Sequence, residues 1–198
     1  GCRIPNDIDL VIIPGSKSTI DDLKFLKKNK WHLDLKKHLN LGKKILGICA
    51  GYQILGKEII DDFLIESTSK NVKGLGMLDV VTKMEKKKKT IRVSAFHQET
   101  GQSFNGYEIH IGKTKGADCF RAFSTVDGKK DGAISSNGLV MGSYIHGMFE
   151  DNKFRSTFLK KLFGIKSSTD YSKNLKENLD KFSSLIESNI KIKQLLNL

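Results

Sequence analysis

The residues Gly47-Ile48-Cys49-Ala50-Gly51 carry the clearest chemistry in the chain of 198 residues. A cysteine between two glycines, G-x-C-x-G, has the form of a nucleophile elbow, where a sharp strand-to-helix turn holds the nucleophile at its tip. Flanking glycines keep side chains out of that turn and let the helix pack close to the strand. A thiol at a helix N-terminus is expected to have a lowered pKa, and the Ala50 N–H follows it directly as an oxyanion donor. The bland alternative is a buried cysteine in a glycine-containing turn. The apolar run 44–48 just before the elbow argues against it.

Acyl transfer from such a thiol needs a base and a second oxyanion donor. The sequence contains 5 histidines. His32 and His38 sit among lysines and are expected to be solvated. His146 follows the apolar run 139–144 and precedes Gly147, the position at a strand's carboxyl end where open α/β sheets build their sites. His97 and His110, each at the end of an expected antiparallel strand, are the competing bases. Gly15 or Ser16, after the run 9–13, is the candidate second donor. Residues 14–18 (PGSKS) lack the spacing of a phosphate loop, and no cysteine or histidine pair has metal-ligand spacing, so no metal site is expected.

These groups have to be positioned by an α/β framework. Residues 9–13 and 44–48 are short continuous apolar runs that read as strands buried on both faces of a parallel sheet. Residues 20–30 show helical spacing of Ile20, Leu23 and Leu26 after a capping-box-like Ser18 and Asp21, and a second helix is expected over 33–39. After Cys49 the helical spacing of Tyr52, Ile54, Leu55 and Ile59 predicts a helix reaching Ile59. Antiparallel strands are expected at 77–83, 90–96 and 107–112, and Ser136-Asn137-Gly138 marks a hairpin between 131–135 and 139–144. A helix over 151–163, capped by Asp151 or Asn152, precedes a lysine-rich segment. There Leu175, Leu179, Phe182, Leu185, Ile186, Ile190 and Leu195 keep helical spacing. The expected fold is an open, mostly parallel α/β sheet flanked by helices, flavodoxin-like, with some antiparallel strands. It forms one domain over 1–198, with terminal helices in 165–198 packed on it.

Composition limits the alternatives. Hydrophobic residues at 38% and charged residues at 28% exclude a disordered or collagen-like chain. Three cysteines, Cys2, Cys49 and Cys119, are too few and too scattered for a disulfide framework and fit a reduced, cytoplasmic setting. No apolar run approaches the ~20 residues of a membrane span, so no membrane partner is expected. With 34 Lys+Arg against 22 Asp+Glu the net charge is +12, which admits a nucleic-acid-binding module as a second class of function. The excess sits in short lysine runs at 27–30, 86–89, 129–130 and 160–161. There is no zinc spacing and no aromatic-basic interleaving, so a solvated lysine surface is the better reading and no nucleic-acid partner is expected.

Taken in order, IPGSKST at 13–19, GICAGYQILG at 47–56, KGLGML at 73–78, GYEIHIG at 106–112 and GSYIHGMF at 142–149 resemble the glutamine amidotransferase domain of cobyric acid synthases. The resemblance runs over nearly the whole chain. It implies that Cys49 attacks the side-chain amide of glutamine, that His146 moves the protons, and that Gln53 with the backbone at Gly15 and Ser16 helps to hold the substrate. It also implies that ammonia passes to an ATP-dependent synthetase domain or subunit, which amidates corrinoid carboxylates in cobalamin synthesis. ATP and Mg belong to that partner, and the amidotransferase domain needs no cofactor. With too few residues before the first strand for a synthetase, the chain is expected to be an excised domain or half of a split enzyme. It would then hydrolyse glutamine weakly at best and not make cobyric acid alone. Ala50 stands where the family typically has glycine, Ser143 and Ile145 replace threonine and leucine, and Met148 occupies the position at which many related enzymes carry a glutamate. A Cys49–His146 dyad follows, with Glu108 or Glu150 as candidate orienters of the imidazole. A related amidotransferase for another acceptor, such as a cell-wall lipid precursor, would share the dyad.

Overall fold

The computed structural model describes residues 3–66 and 70–190, so Cys2 and Leu195 lie outside the described residues. The chain divides into two compact units, Gly1–Met148 and Phe149–Leu198. The first holds β1 (Leu10–Ile13), α1 (Thr19–Lys28), α2 (Trp31–Asn40), β2 (Lys44–Ile48), α3 (Ala50–Leu55), β3 (Glu58–Ile60) and β4 (Asn71–Lys73). It continues with β5 (Val81–His97), β6 (Gln102–Lys115), β7 (Ser124–Val126), β8 (Lys129–Asp131), β9 (Ala133–Ile134), β10 (Val140–Ser143) and β11 (Ile145–His146).

The strands form two open sheets. In the first, ordered β1-β2-β10-β9, the strands β1, β2 and β10 run parallel and β9 is antiparallel. In the second, β11-β6-β5-β3-β4, every pairing is antiparallel except β3 with β5. The α/β class expected from sequence holds, and its parallel part is confined to β1, β2 and β10 and the β3–β5 pair. Ile45, Leu46 and Gly47 of β2 are buried, and Ile45 packs in one cluster with Leu35 of α2 and with Tyr52 and Leu55 of α3. Helix α1 buries Ile20, Leu23 and Leu26 against Ile54 and Ile59, the face its spacing predicts.

Three local expectations are corrected. Helix α3 ends at Leu55, not Ile59, because Gly56 turns extended (φ −66°, ψ 176°) and Ile59 enters β3, where it pairs with Thr82 of β5. Of the strands expected at 77–83 and 90–96, residues 77–80 form no strand and the rest belong to the single strand β5, which carries a register shift between Lys83 and Lys88. Ser18 makes no side-chain cap on α1; the Thr19 N–H donates instead to Glu66 Oε2 at 2.8 Å.

In the second unit α4 (Asn152–Phe163) is capped as the sequence predicts, with Phe154 N donating to Asp151 Oδ1 at 2.8 Å. Helix α5 (Tyr171–Asn189) is capped by Asp170 and buries none of its side chains. On it Leu175, Leu179, Phe182 and Leu185 are exposed and Ile186 is half-buried.

Candidate active site

β2 delivers Cys49 to a turn with φ 54° and ψ −108°, a left-handed φ that non-glycine residues rarely adopt and that marks a strained elbow. Two backbone bonds hold it there. Cys49 N donates to Ser143 O of β10 at 2.8 Å, and Gln53 N donates to Cys49 O at 3.1 Å. The flanking glycines are sterically required, since a Cβ on Gly47 would lie 2.6 Å from Gly51 C and one on Gly51 would lie 2.7 Å from Ile13 C. The elbow opens into a cavity of about 430 Å³, lined by Gly15, Ser16, Lys17, Cys49, Gln53, Glu66, Lys88 and His146, among others.

The thiol differs from expectation. Cys49 is 6% exposed, its Sγ donates to Ile109 O at 3.2 Å, and burial pushes its pKa up to about 11. The Ala50 N–H pulls in the opposite direction, as an elbow should, yet the loss of hydration outweighs it. A one-turn helix and one amide do not offset the removal of water from a thiolate. At neutral pH Cys49 therefore rests as a neutral thiol.

His146 lies at the end of the chain's passage from the first sheet to the second, where β11 pairs with Tyr107 of β6. A Cβ built on Gly15 would lie 3.3 Å from His146 Nδ1, closer still to its Cε1, and 3.4 Å from Cys49 Cβ. Imidazole and thiol side chain thus flank one small volume that Gly15 leaves open. His146 Nε2 is buried with no hydrogen-bond partner among the described residues. Of the competing histidines, His97 is buried against the Phe123 ring and its Nδ1 meets Thr100 Oγ1 at 3.0 Å. His110 also lines the cavity, but its Nδ1 donates to Gly112 O at 3.0 Å, its ring stacks on Tyr144, and its Nε2 faces Glu108 at 3.5 Å. His38, expected in solvent, is buried with Nε2 at 3.0 Å from Lys44 O. Glu108 pairs with Lys89, and Glu150 is exposed at the end of the 3-10 turn Met148–Glu150.

Gly15→Ala is expected to keep the fold, because Gly15 does not occupy a left-handed backbone, while its methyl group collides with the imidazole edge. Misplacing a catalytic group by about 1 Å costs on the order of 10²-fold in rate. Glutamine turnover measured beside a thermal melt checks this, and full turnover in the folded variant would refute it.

Gln53 is 2% exposed and its amide is engaged by the protein. Nε2 donates to Ile111 O at 3.0 Å and to Tyr144 Oη at 3.2 Å, and Oε1 lies 3.3 Å from Thr19 Oγ1. It ties α1, α3 and β6 together beneath the cavity. Glu66 is the residue that sequence reasoning missed. Asp61 accepts from Ile65 N and Glu66 N at 2.8 and 2.9 Å, which folds the loop so that the Glu66 carboxylate reaches the cavity wall. Partial burial raises its pKa. With Lys17 and Lys88 also in the wall, the cavity presents one carboxylate and two ammonium groups around the thiol. Among the described residues no cluster of three His, Cys, Asp or Glu side chains is placed to hold a metal ion, and no helix is long and apolar enough to cross a membrane.

The fold is that of solved glutamine amidotransferases. A crystal structure of a glutamine amidotransferase superposes with a TM-score of 0.59 at 18% identity, covering 80% of each chain. PurLQS from Thermotoga maritima does so with a TM-score of 0.55 at 19% identity, covering 88% of this chain and 82% of that one. Residues 1–154 match the CobB/CobQ-like glutamine amidotransferase domain, and the chain belongs to that family. It is 47% identical over 197 residues to cobyric acid synthase from Jannaschia sp. (strain CCS1), covering 100% of this chain and 41% of that protein. The match to cobyric acid synthase from Bradyrhizobium diazoefficiens is 44% over 198 residues, again covering 41% of the relative. The chain thus spans about two-fifths of the length of these relatives.

Proposed function

We propose that the chain hydrolyses glutamine to glutamate and ammonia through Cys49 and His146. The observation that carries this reading is the convergence of the neutral thiol and the unpartnered imidazole over Gly15, in a cavity whose charges suit an amino acid. As Cys49 Sγ attacks the amide carbon, its proton moves to His146 and the carbonyl oxygen becomes an oxyanion facing the N–H groups of Ala50 and of Gly15 or Ser16. Collapse breaks the C–N bond, the imidazolium proton goes to the leaving nitrogen, and ammonia departs from a thioester. Water, deprotonated by His146, then attacks the thioester and restores the thiol. The sequence of steps needs only a thiol, an imidazole and amide donors, so no cofactor is assigned to this domain.

Glu66 holds the substrate ammonium in this reading, and Lys17 or Lys88 its carboxylate. Glu66→Gln can still accept from Thr19 N but loses the charge, worth about 1.5–3 kcal/mol for a charge-assisted bond, so KM for glutamine is expected to rise at least tenfold with a smaller change in kcat. Steady-state kinetics check it.

The remaining part of the relatives supplies the proposed destination of the ammonia. We assign it to an ATP- and Mg-dependent synthetase region or subunit that amidates corrinoid carboxylates, on the strength of the similarity to cobyric acid synthases. A thiol nucleophile fits a reducing compartment, and the reaction is assigned to the cytoplasm. The test is labelling by a glutamine-analogue chloroketone. Label should be lost in Cys49→Ser and kept in Cys2→Ser and Cys119→Ser; equal labelling of all three thiols would overturn the reading. Addition of the synthetase region from a relative should then give glutamine-dependent corrinoid amidation. Amidation only with a lipid-precursor synthetase would reassign the acceptor.

A further inference from the structure

We propose that Asp131 is a positioning residue, whose carboxylate fixes the Ser143–Ile145 backbone and through it the relation of Cys49 to His146. This rests on the Cys49–His146 reading above.

The segment from Ser143 to His146 touches both reacting partners. Ser143 O receives the Cys49 N–H, and three residues later the chain presents the imidazole. In between, the chain leaves one sheet for the other, with Ser143 in register with Ile48 of β2 and Ile145 in register with Glu108 of β6. A strand that changes sheets loses its ladder partners at the step, and buried backbone N–H groups there need other acceptors.

Asp131 supplies them. Its Oδ1 accepts from Tyr144 N at 3.2 Å, and its Oδ2 accepts from Ser143 Oγ at 2.7 Å. The same Ser143 Oγ accepts from Ile145 N at 3.1 Å, so one carboxylate and one hydroxyl satisfy the two N–H groups at the crossing. Ser124 Oγ donates to Oδ2 at 3.1 Å and fixes the rotation of the carboxylate. The approach is enforced by Gly132 (φ +74°), where a Cβ would lie 3.0 Å from Gly142 C and closer still to its O.

Asp131 has no cation in ion-pair contact among the described residues, is 8% exposed, and does not line the Cys49 cavity. A buried carboxylate without a counter-charge is costly, and an apolar residue of similar size would stabilise the fold more simply. What the carboxylate provides is a fixed acceptor geometry at the point that spaces thiol from imidazole.

The test uses the full 198-residue chain with Asp131→Ala, Asp131→Asn and Ser143→Ala, each checked by thermal melting. Asp131→Ala is expected to lower kcat for glutamine by about thirtyfold with KM within about threefold. Asp131→Asn keeps an oxygen for Tyr144 N and a donor that the two serine hydroxyls can accept, so it is expected to stay within about threefold of the parent chain. An independent readout is the imidazole proton resonance of His146, assigned by its loss in His146→Gln. It should shift or broaden in Asp131→Ala and return in Asp131→Asn, while iodoacetamide alkylation of Cys49 changes less than about threefold.

A folded Asp131→Ala with parental kcat and an unmoved His146 resonance overturns the proposal. So does a loss that Asp131→Asn does not restore. If Asp131→Ala does not fold, Ser143→Ala decides: about a tenfold loss of kcat at unchanged KM supports the proposal, and unchanged kcat overturns it. A parent chain that releases no ammonia, yet whose His146 resonance responds to Asp131→Ala, refutes the glutaminase reading and leaves the positioning role standing.

Discussion

Cys49→Ala is expected to reduce glutamine hydrolysis by at least about 10³-fold while the chain melts within a few degrees of the parent, since removing a covalent nucleophile eliminates the route itself. Cys49→Ser should be almost as inactive, because the hydroxyl can replace the thiol as donor to Ile109 O at 3.2 Å but is far harder to deprotonate. A companion measurement concerns pH. With the resting thiol pushed up to about 11 by burial, only a minute fraction is thiolate at neutral pH. Alkylation by iodoacetamide, which binds no subsite, should therefore accelerate about tenfold per pH unit from neutrality towards pH 11. Inactivation by the glutamine-analogue chloroketone should already be fast at neutral pH, since the bound ligand places His146 to take the proton. Retention of a tenth of the turnover in Cys49→Ala, or an iodoacetamide rate that is flat between about pH 7 and 10, would rule out this account of the nucleophile.

The parts of the site legible in the sequence are those fixed by local backbone. The run 44–48 followed by G-x-C-x-G can hardly be other than a buried strand and an elbow, and β2 and Cys49 lie where that pattern requires. His146, placed by the apolar run before it, lies with Cys49 beside the Gly15 Cβ position, whereas His38, among lysines in the sequence, is buried through a bond to Lys44 O that no neighbouring residue announces. The thiol pKa departs from the sequence expectation for a related reason. A helix dipole is a local property, whereas the burial that outweighs it includes a contact with Ile109 O of β6, and the Glu66 charge adds a smaller upward push, both from residues distant in sequence. Glu66 itself leaves no trace in the pattern, since it is one acid after Phe63, Leu64 and Ile65 until Asp61 folds the loop and its carboxylate meets Thr19 N of α1. Ile59 fits a helical face and a strand equally, and only its pairing with Thr82 of β5 decides. Long-range pairing is the common cause of these misses.

Gly51→Ala is expected to destabilise the chain, against the direction that helix propensity predicts. Gly51 lies inside α3, where replacing glycine by alanine ordinarily gains up to about 1 kcal/mol. Here the new Cβ would lie 2.7 Å from Ile13 C and 3.0 Å from Ile13 Cβ, and closer still to Ile13 O. Ile13 O and C are main-chain atoms of β1 and cannot rotate away. Overpacking a close-packed site costs typically about 1–3 kcal/mol, and a backbone neighbour puts this case at the upper end, so a net loss of about 2 kcal/mol remains. For a chain of this size that lowers Tm by about 4–8 °C. Relief can come only from moving β1 away from α3, which carries Gly15 and Ser16 away from Cys49, so turnover should fall further than the melt alone implies. Gly138→Ala separates the two effects. Gly138 has φ +71° and nothing within 4 Å of its Cβ position, so its replacement should cost only the backbone strain of about 1 kcal/mol and leave turnover unchanged. If Gly51→Ala melts at or above the parent temperature, α3 and β1 are not in the contact that brings the oxyanion donors to the thiol.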